Sequence, residues 1–257
     1  MQSIGILGCG WLGKALAIHL VGKGYYVKGS TTNETKVADL SAHNITPFVI
    51  KFDPVPQGEG LPEFFHADIL IITIPPRRKS GQTEQYRQQI EAVAAEAERG
   101  RVKAVLFISS TSVYPELNRV VTETDADPES YLVEVENILR KNSAFKTTIL
   151  RFGGLIGPDR HPGKFLAGKK DVAGAENPVN IIHRDDCIAI IEKIISQNVW
   201  GEVFNACSDR HPSKREYYEK ASEELGLRPP AFSTQPSSFK IVSSEKLKRI
   251  LSYQFSY

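Results

Sequence analysis

Three glycines near the amino terminus have a spacing that indicates a definite chemistry. Gly8, Gly10 and Gly13 follow a short apolar run in the pattern G-x-G-x-x-G. In such a pattern the first glycine allows a tight turn, the second lets backbone approach a diphosphate, and the third lets helix and strand pack closely. The first N–H groups of the following helix have no partner within the helix and lie at the positive end of its dipole. The spacing predicts a nucleotide-binding turn, to which Trp11 and Leu12 also contribute.

The elements on either side of the glycines support this interpretation. Residues 3–7 are an apolar run typical of a strand that is buried on both faces. Residues 12–20 carry leucines at helical spacing, and a second strand is predicted over 25–30. A glycine-rich turn that only tightens the connection between strand and helix is the alternative interpretation.

The residues after the second strand bear on which dinucleotide would bind. In dinucleotide-binding folds a carboxylate at this position accepts hydrogen bonds from the adenosine ribose and disfavours a 2′-phosphate. Here the chain has the hydroxyl residues Ser30, Thr31 and Thr32, followed by Lys36 in the next helix. Hydroxyl and ammonium donors suit a phosphate, so the sequence favours NADP over NAD. A polar helix cap is the alternative role for these residues.

Strands and helices alternate through the first 152 residues and continue less regularly afterwards. Strands are predicted at 48–52, 68–74, 104–108, 147–152, 178–182 and 202–205, and helices at 34–42, 84–99, 129–141, 185–197, 213–225 and 243–251. This alternation predicts an α/β fold with a right-handed, doubly wound parallel sheet of the Rossmann type. Residues 1–152, joined by later elements from about 178–206, form the predicted dinucleotide-binding domain. Residues 153–257 form mainly a small substrate-side lobe.

Two further residues are predicted to border the cofactor. Ligands of open α/β sheets lie beyond the carboxyl ends of the strands. Asp53 ends the third predicted strand, and Pro75 begins the loop after the fourth. Arg77 and Arg78 in that loop are candidates for contact with phosphate or with an anionic substrate, a solvated charge pair being the alternative.

Composition indicates an ordinary globular chain of 257 residues with a formal charge of +2. This balance gives no electrostatic reason to expect nucleic acid or a membrane surface as a partner. No apolar run approaches the roughly 20 residues of a membrane span, so we expect a cytoplasmic protein. Cys9, Cys187 and Cys207 are widely spaced and indicate neither a disulfide framework nor a metal site. The expected partner is a small-molecule substrate, and the candidate assembly is a homodimer.

The order of motifs along the chain resembles the extended and atypical members of the short-chain dehydrogenase/reductase superfamily, which include NAD-dependent epimerases and dehydratases of sugar nucleotides. Besides the glycine turn, the resemblance rests on residues 108–114, 150–158, 180–186, 201–205 and 243–247. The commoner extended pattern is G-x-x-G-x-x-G, so the closer spacing of the first two glycines here is typical of atypical members. Both spacings leave backbone N–H groups available to a diphosphate.

The resemblance implies two catalytic positions. Ser110 matches the Ser or Thr that hydrogen-bonds the reacting oxygen, and Tyr131 matches the acid/base tyrosine of a Y-x-x-x-K helix. The lysine of that motif is replaced by Val135. A free tyrosine ionises near pH 10, so the family's chemistry depends on a nearby cation that a valine does not supply. Candidate replacements from other segments are Arg151, Lys164, Lys169 and Lys170.

Two other positions bear on the substrate. Gly154 stands where sugar-nucleotide enzymes have an Asn that contacts the diphosphate, which argues against a nucleotide-sugar substrate. His183 falls in a family segment that is mainly structural, and Asp185 or Asp186 is expected to cap the helix that begins there.

The resemblance therefore implies an NADP-linked oxidoreductase or an epimerase-like enzyme acting on a small carbonyl or hydroxyl substrate. Ser110 would orient the substrate and Tyr131 would exchange the proton. Because the lysine is missing, the alternative is a catalytically silent NAD(P)-binding protein with a redox-sensing or regulatory role.

Overall fold

The chain divides into two compact units in the computed structural model, which describes residues 1–75, 83–235 and 237–257. Unit 1 consists of Met1–Ser109, Pro128–Leu150 and Ile191–Val203, and unit 2 of Ser110–Asp127, Arg151–Ile190 and Phe204–Tyr257. Arg77 and Arg78 lie outside the described residues. Among the helices of the described ranges, none has the length and apolar character needed to cross a bilayer.

The described part of the chain forms the following elements. The strands are β1 (Ser3–Leu7), β2 (Tyr26–Thr31), β3 (Thr46–Val49), β4 (Lys51–Asp53), β5 (Val55–Gln57), β6 (Ile69–Ile72), β7 (Ala104–Ser110), β8 (Arg119–Val121), β9 (Lys146–Phe152), β10 (Gly154–Ile156), β11 (Ile181–His183), β12 (Val203–Ala206) and β13 (Lys240–Val242). The α-helices are α1 (Trp11–Gly22), α2 (Val37–Ala42), α3 (Leu61–Phe65), α4 (Thr83–Arg99), α5 (Tyr131–Arg140), α6 (Gly163–Leu166), α7 (Arg184–Ser196), α8 (Lys214–Glu223) and α9 (Glu245–Leu251). Short 3₁₀ helices occupy 34–36, 111–113 and 123–125.

Seven strands form the central sheet in the order β3-β2-β1-β6-β7-β9-β12. The pairs from β3 through β7 are parallel, with β1 between β2 and β6. The order reverses direction between β1 and β6, which makes the carboxyl end of β1 the topological switch point where ligands of such sheets bind. The predicted α/β fold with a doubly wound parallel sheet is confirmed.

Burial explains why the central strands were recognisable in the sequence. The four residues of β6 are at most 1% exposed, and Ile4, Ile6 and Leu7 of β1 are fully buried. A parallel sheet is covered by helices on both faces, so its strands become continuous apolar runs. The helix α4 likewise buries one face, which includes Ile90, Val93 and Ala97.

The third strand differs from the prediction of a single strand at 48–52. β3 ends at Val49, and the next residues form an antiparallel hairpin of β4 and β5. Gly58, which follows the hairpin, packs so closely on β3 that an added Cβ would lie 2.2 Å from the Val49 carbonyl oxygen. Asp53 therefore ends a hairpin strand and not a strand of the central sheet.

Unit 2 contains two small parallel ladders that the sequence pattern did not predict in full. β10 pairs with β11, and β13 pairs with β8. The helices α6 and α8 approach until backbone nearly touches backbone: a Cβ on Gly163 would lie 2.1 Å from the Ala221 carbonyl oxygen. α9 closes the unit by burying Leu247 and Leu251.

Asp68 ties the amino ends of three strands of unit 1 together. Its carboxylate accepts hydrogen bonds from the Ser3 amide and hydroxyl, both at 2.9 Å, and from the Lys103 ammonium at 2.6 Å. The hydrogen bond from Lys103, followed by that from the Ser3 backbone, lowers the pKa of Asp68 from 3.8 to about 2. Because the folded protein lowers the pKa of Asp68, the ionised carboxylate contributes to the free energy of unfolding. This contribution is complete above pH 3.8, where the carboxyl group of the unfolded chain is ionised, and it is lost as pH falls through about 2.

Replacing Asp68 by Asn should lower the free energy of unfolding at pH 7 by about 1 kcal/mol, a value reduced for solvent screening because Lys103 is exposed. The difference in free energy of unfolding between the wild type and this variant should decrease as pH falls from 3.8 to about 2. Urea unfolding at several pH values measures it. The exposed Asp53→Asn variant is the matched control. A difference in free energy of unfolding that does not depend on pH would contradict the stabilising role of the ionised Asp68 carboxylate.

Candidate functional site

The turn between β1 and α1 is fixed by hydrogen bonds from both neighbouring strands. The Gly8 amide donates to the Ser30 hydroxyl oxygen at 2.9 Å, and the Cys9 amide donates to the Ser30 carbonyl oxygen at 2.7 Å. On the other side, the Thr73 hydroxyl donates to the Gly8 carbonyl oxygen at 2.6 Å. Gly8 has φ of +106°, a conformation that other residues rarely adopt. The turn is therefore held in one geometry before any ligand binds.

The other two glycines of the motif have different physical roles. A Cβ on Gly13 would lie 2.2 Å from the Gly8 carbonyl oxygen, so only glycine allows the helix to pack on the turn. Gly10 has φ of −83°, and a Cβ there would meet no atom of the described chain within 4 Å. The backbone conformation does not require glycine at this position. The absence of a side chain at Gly10 leaves the N-terminus of α1 open to a ligand.

Backbone donors at that N-terminus are available to a ligand. α1 begins after Gly10, which provides no side-chain cap, and its first turn contains no acidic residue. Within the described chain, the N–H groups of Leu12 and Gly13 have no hydrogen-bond acceptor. Unpaired N–H groups at the positive end of a helix dipole are a binding site for a phosphate group. These residues fit the diphosphate of a dinucleotide.

The residues predicted to select the cofactor divide into two groups. Ser30 and Thr31 are only 3% and 7% exposed, and their hydroxyls are used inside the local turns. The Thr31 hydroxyl accepts a hydrogen bond from the Asn33 amide at 3.1 Å. Thr32 and Lys36 are exposed. The side chains of this group that remain exposed to solvent are therefore those of Thr32 and Lys36.

Cys9, inside the turn, has a buried thiol that the charge of Lys36 influences. Burial raises the pKa of the Cys9 thiol to about 12, and the positive charge of Lys36 offsets part of that increase. The thiol is 5% exposed and lies beneath Gly29, where an added Cβ would be 2.7 Å from the Cys9 sulfur. Cys9 is thus a neutral packing residue of the turn.

Three further residues of unit 1 lie at or just after the ends of strands. Asp53 and Pro75 are both exposed, and their predicted contact with a cofactor stays a prediction. Thr73, which orients the glycine turn, was missed by the sequence analysis. A hydroxyl residue directly after the buried strand β6, at the carboxyl edge of the sheet, is the signal that could have identified it.

Tyr131 is the first residue of α5 and is partly buried in unit 1. Its helix lies against α4, because Arg87 of α4 and Glu134 of α5 approach to 3.7 Å. Burial and, secondarily, the charge that Tyr131 would carry both raise the pKa of the Tyr86 phenol in α4. The Tyr86 hydroxyl donates to the Ile74 carbonyl oxygen at 3.0 Å. The helix α4, against which the helix of Tyr131 lies, is therefore tied to the segment that follows β6.

The position of the missing lysine is part of the hydrophobic core. Val135 is 1% exposed and lies on the buried face of α5 with Leu132 and Leu139. The next residue, Glu136, is fully buried, and its carboxylate accepts a hydrogen bond from the Ser109 hydroxyl at 2.6 Å. This bond ties α5 to β7 and fixes the rotation of the helix that carries Tyr131.

Ser110 belongs to unit 2, whereas Tyr131 belongs to unit 1. The Ser110 hydroxyl oxygen accepts a hydrogen bond from the Ser112 amide at 3.2 Å and so caps the short 3₁₀ helix at 111–113. Its side chain is partly exposed. The hydroxyl hydrogen can still be donated to a substrate oxygen, because the cap uses only the oxygen as acceptor.

A buried polar network anchors the segment that carries Ser110. The Tyr114 hydroxyl donates to the Asn205 side-chain oxygen at 2.5 Å and accepts from the Arg151 guanidinium at 2.7 Å. Arg151 also donates to the Glu123 carbonyl oxygen at 3.1 Å. Burial raises the pKa of Tyr114 to about 12 although Arg151 opposes the shift. Arg151 is thus engaged within unit 2.

His183 and its neighbours have structural roles that partly differ from the prediction. The His183 ring stacks on Tyr257 with centroids 3.7 Å apart, and its Nδ1 accepts a hydrogen bond from the Asp185 amide at 3.2 Å. His183 therefore occupies the capping role that was expected of Asp185 or Asp186. The Asp186 carboxylate instead accepts a hydrogen bond from the Tyr253 hydroxyl at 2.6 Å, because its side chain is directed into the interior.

Comparison with known proteins gives relatives of the whole chain. No protein-family model matches the sequence. Protein YeeZ of Escherichia coli K12 is 33% identical over 266 residues, covering 100% of this chain and 97% of that protein.

Solved structures share the fold at lower identity. MoeE5 in complex with UDP-glucose and NAD has a TM-score of 0.80 and 16% identity, covering 100% of this chain and 94% of its own. A short-chain dehydrogenase/reductase superfamily protein from Agrobacterium tumefaciens with bound NAD has a TM-score of 0.78 and 18% identity, covering 99% of this chain and 93% of its own.

Proposed function

Because the chain belongs to the family of Protein YeeZ and has the fold of the extended short-chain dehydrogenase/reductase superfamily, we propose that it is an NAD(P)-dependent oxidoreductase or epimerase-like enzyme. Its substrate is a small molecule with a carbonyl or hydroxyl group. The observation that carries the proposal is the pair of open N–H groups at Leu12 and Gly13, reached past the unobstructed Gly10. NAD in the MoeE5 and Agrobacterium structures supports the same kind of cofactor here.

NADP is the preferred form of the cofactor in this proposal. Thr32 and Lys36 are exposed after β2, and the charge of Lys36 acts on the neighbouring Cys9. An ammonium and a hydroxyl beside the adenosine ribose favour a 2′-phosphate, whereas NAD-selective sites place a carboxylate there.

The chemistry requires a proton donor and a group that orients the substrate. A bound nicotinamide dinucleotide supplies hydride transfer. Tyr131 is the proposed donor of a phenolic proton to the substrate, and Ser110 is the proposed hydrogen-bond donor that orients it. With Val135 in place of the lysine, Tyr131 acts as a neutral phenol and not through a stabilised phenolate.

A Gly10→Asp substitution should abolish dinucleotide binding without unfolding the protein. The Cβ has free space within the described chain, and Asp is a favourable residue at a helix N-cap, so stability should be unchanged or slightly higher. The added carboxylate would meet the diphosphate and repel it. Isothermal calorimetry with NADPH and NADH, beside thermal unfolding, measures both effects. Gly22→Asp, at the other end of α1, is the control, and retained binding in Gly10→Asp would contradict the proposed site.

Lys36→Gln should raise the Kd for NADPH by about ten-fold and leave the Kd for NADH nearly unchanged, because only NADPH presents a phosphate to this side chain. Fluorescence titration of both cofactors measures the difference. Lys141→Gln, an exposed change at the end of α5, should alter neither value. An equal increase in Kd for NADPH and for NADH would contradict the role of Lys36 in selecting NADP.

Tyr131→Phe should slow hydride transfer by about 100-fold, the typical contribution of a positioned general acid. NADPH affinity should be retained, because the phenol donates to the substrate. Single-turnover oxidation of NADPH with a panel of small aldehydes and ketones measures the rate. Wild-type protein that oxidises NADPH with none of these substrates, or a Tyr131→Phe variant as fast as the wild type, would contradict the proposed catalytic role.

A further inference from the structure

Unit 2 contains a cavity of about 440 Å³ with a lining that combines positive charge and aromatic surface. The described lining includes three basic side chains, Arg160, Lys214 and Lys240, against one acidic side chain, Glu116. Glu116 pairs with Lys240 at 3.0 Å. The described lining therefore contains more basic than acidic side chains, and Lys214 contributes to this excess.

Lys214 lies at a helix N-terminus, where the helix dipole makes a positive charge unfavourable unless an anion is nearby. It is the first residue of α8, at the positive end of the helix dipole. The adjacent Arg215 pairs with Glu176 at 3.2 Å and Glu219 at 3.5 Å. Lys214 donates to the Ala173 carbonyl oxygen at 3.1 Å, and no carboxylate in the described part of the chain lies within ion-pair distance of it. This arrangement leaves Lys214 able to hold an external anion.

The backbone at the start of α8 is already satisfied. The Lys214 amide donates to the Asn177 carbonyl oxygen, and the Arg215 amide to the Ala175 carbonyl oxygen, both at 2.8 Å. Recognition of an anion in the cavity must therefore come from side chains. This distinguishes the cavity from the glycine turn, where backbone N–H groups are the donors.

Aromatic side chains make the rest of the cavity suited to an apolar body. Phe165 of α6 and Tyr218 of α8 line it together with Phe239. The close backbone approach of Gly163 to Ala221 fixes α6 against α8, so two of these rings are held on rigidly joined helices. A preformed aromatic surface reduces the entropy lost when a ligand is ordered.

Gly154 gives the cavity part of its width. A Cβ at Gly154 would meet only ordinary contacts, 3.4 Å from the Asn180 carbonyl oxygen and 3.6 Å from Ile181. The preceding Gly153 differs, since its Cβ would lie 2.6 Å from the Cys207 sulfur. Packing therefore requires glycine at 153, whereas at 154 the absence of a side chain leaves space at the cavity wall.

We propose that this cavity binds a compact organic oxyanion, a phosphate or carboxylate group on an apolar or ring-shaped body, with Lys214 as the residue that recognises the charge. Gly154 makes room for the body, which packs on Phe165 and Tyr218. As a statement about the substrate, this inference rests on the proposed function above. Binding to unit 2 itself requires neither cofactor nor turnover.

The test is isothermal calorimetry of the full chain with phenyl phosphate, benzoate, inorganic phosphate and UDP-glucose. Phenyl phosphate or benzoate should bind at least about ten-fold more tightly than inorganic phosphate, because the ring adds apolar contact to the charge. Lys214→Gln should weaken that binding by about ten-fold, whereas Lys220→Gln, an exposed change on the same helix, should leave it unchanged. Gly154→Asn should weaken binding of the ring-bearing anions while thermal stability is retained.

Three results would overturn the inference. The first is that neither ring-bearing anion binds at millimolar concentration. The second is that Lys214→Gln and Lys220→Gln lose affinity for these anions equally. The third is that UDP-glucose binds more tightly than phenyl phosphate. An NADPH titration of the same samples separates the two proposals. Anion binding without NADPH binding contradicts the proposed function alone, whereas NADPH binding without anion binding contradicts only this inference.

Discussion

The hydrogen bonds that hold Gly8 between Ser30 and Thr73 are the constraint on which the candidate site depends. They join the ends of three adjacent strands at the switch point of the sheet, and they set the entry of α1. With the turn fixed, packing excludes a side chain at Gly13, and α1 presents N–H groups with no acceptor in the described chain. The turn therefore holds these donors in one geometry, and such preorganisation lowers the entropic cost of binding an anion.

The sites proposed in the two units would recognise charge in different ways. In unit 1 the proposed donors are backbone N–H groups at a helix end, with Lys36 as the proposed contact of the 2′-phosphate. In unit 2 the start of α8 has its amides paired within the chain, so the side chain of Lys214 is the available donor. The buried network around Tyr114 has a third role, because its hydrogen bonds are satisfied internally and hold the segment that follows Ser110.

Much of the fold could be predicted because the relevant signals are local. The continuous apolar runs of β1 and β6 and the periodic face of α4 reflect burial that each segment undergoes by itself. The burial of Val135 could also be predicted from the sequence, because Leu132, Val135 and Leu139 follow helical spacing. β8 and β13 could not be predicted, because Arg119 pairs with Lys240 far along the chain and each strand has only three residues. The cap formed by His183 likewise depends on side-chain geometry that spacing does not encode.

The most direct test of the central claim is an amide NMR titration of isotopically labelled protein with NADPH. If a diphosphate binds at the glycine turn, the amide protons of Leu12 and Gly13 should show large downfield shifts as they acquire an acceptor. The amide of Cys9, which already donates to Ser30, should shift less. Shifts confined to other segments, or unchanged resonances for Leu12 and Gly13 at saturating NADPH, would contradict the account.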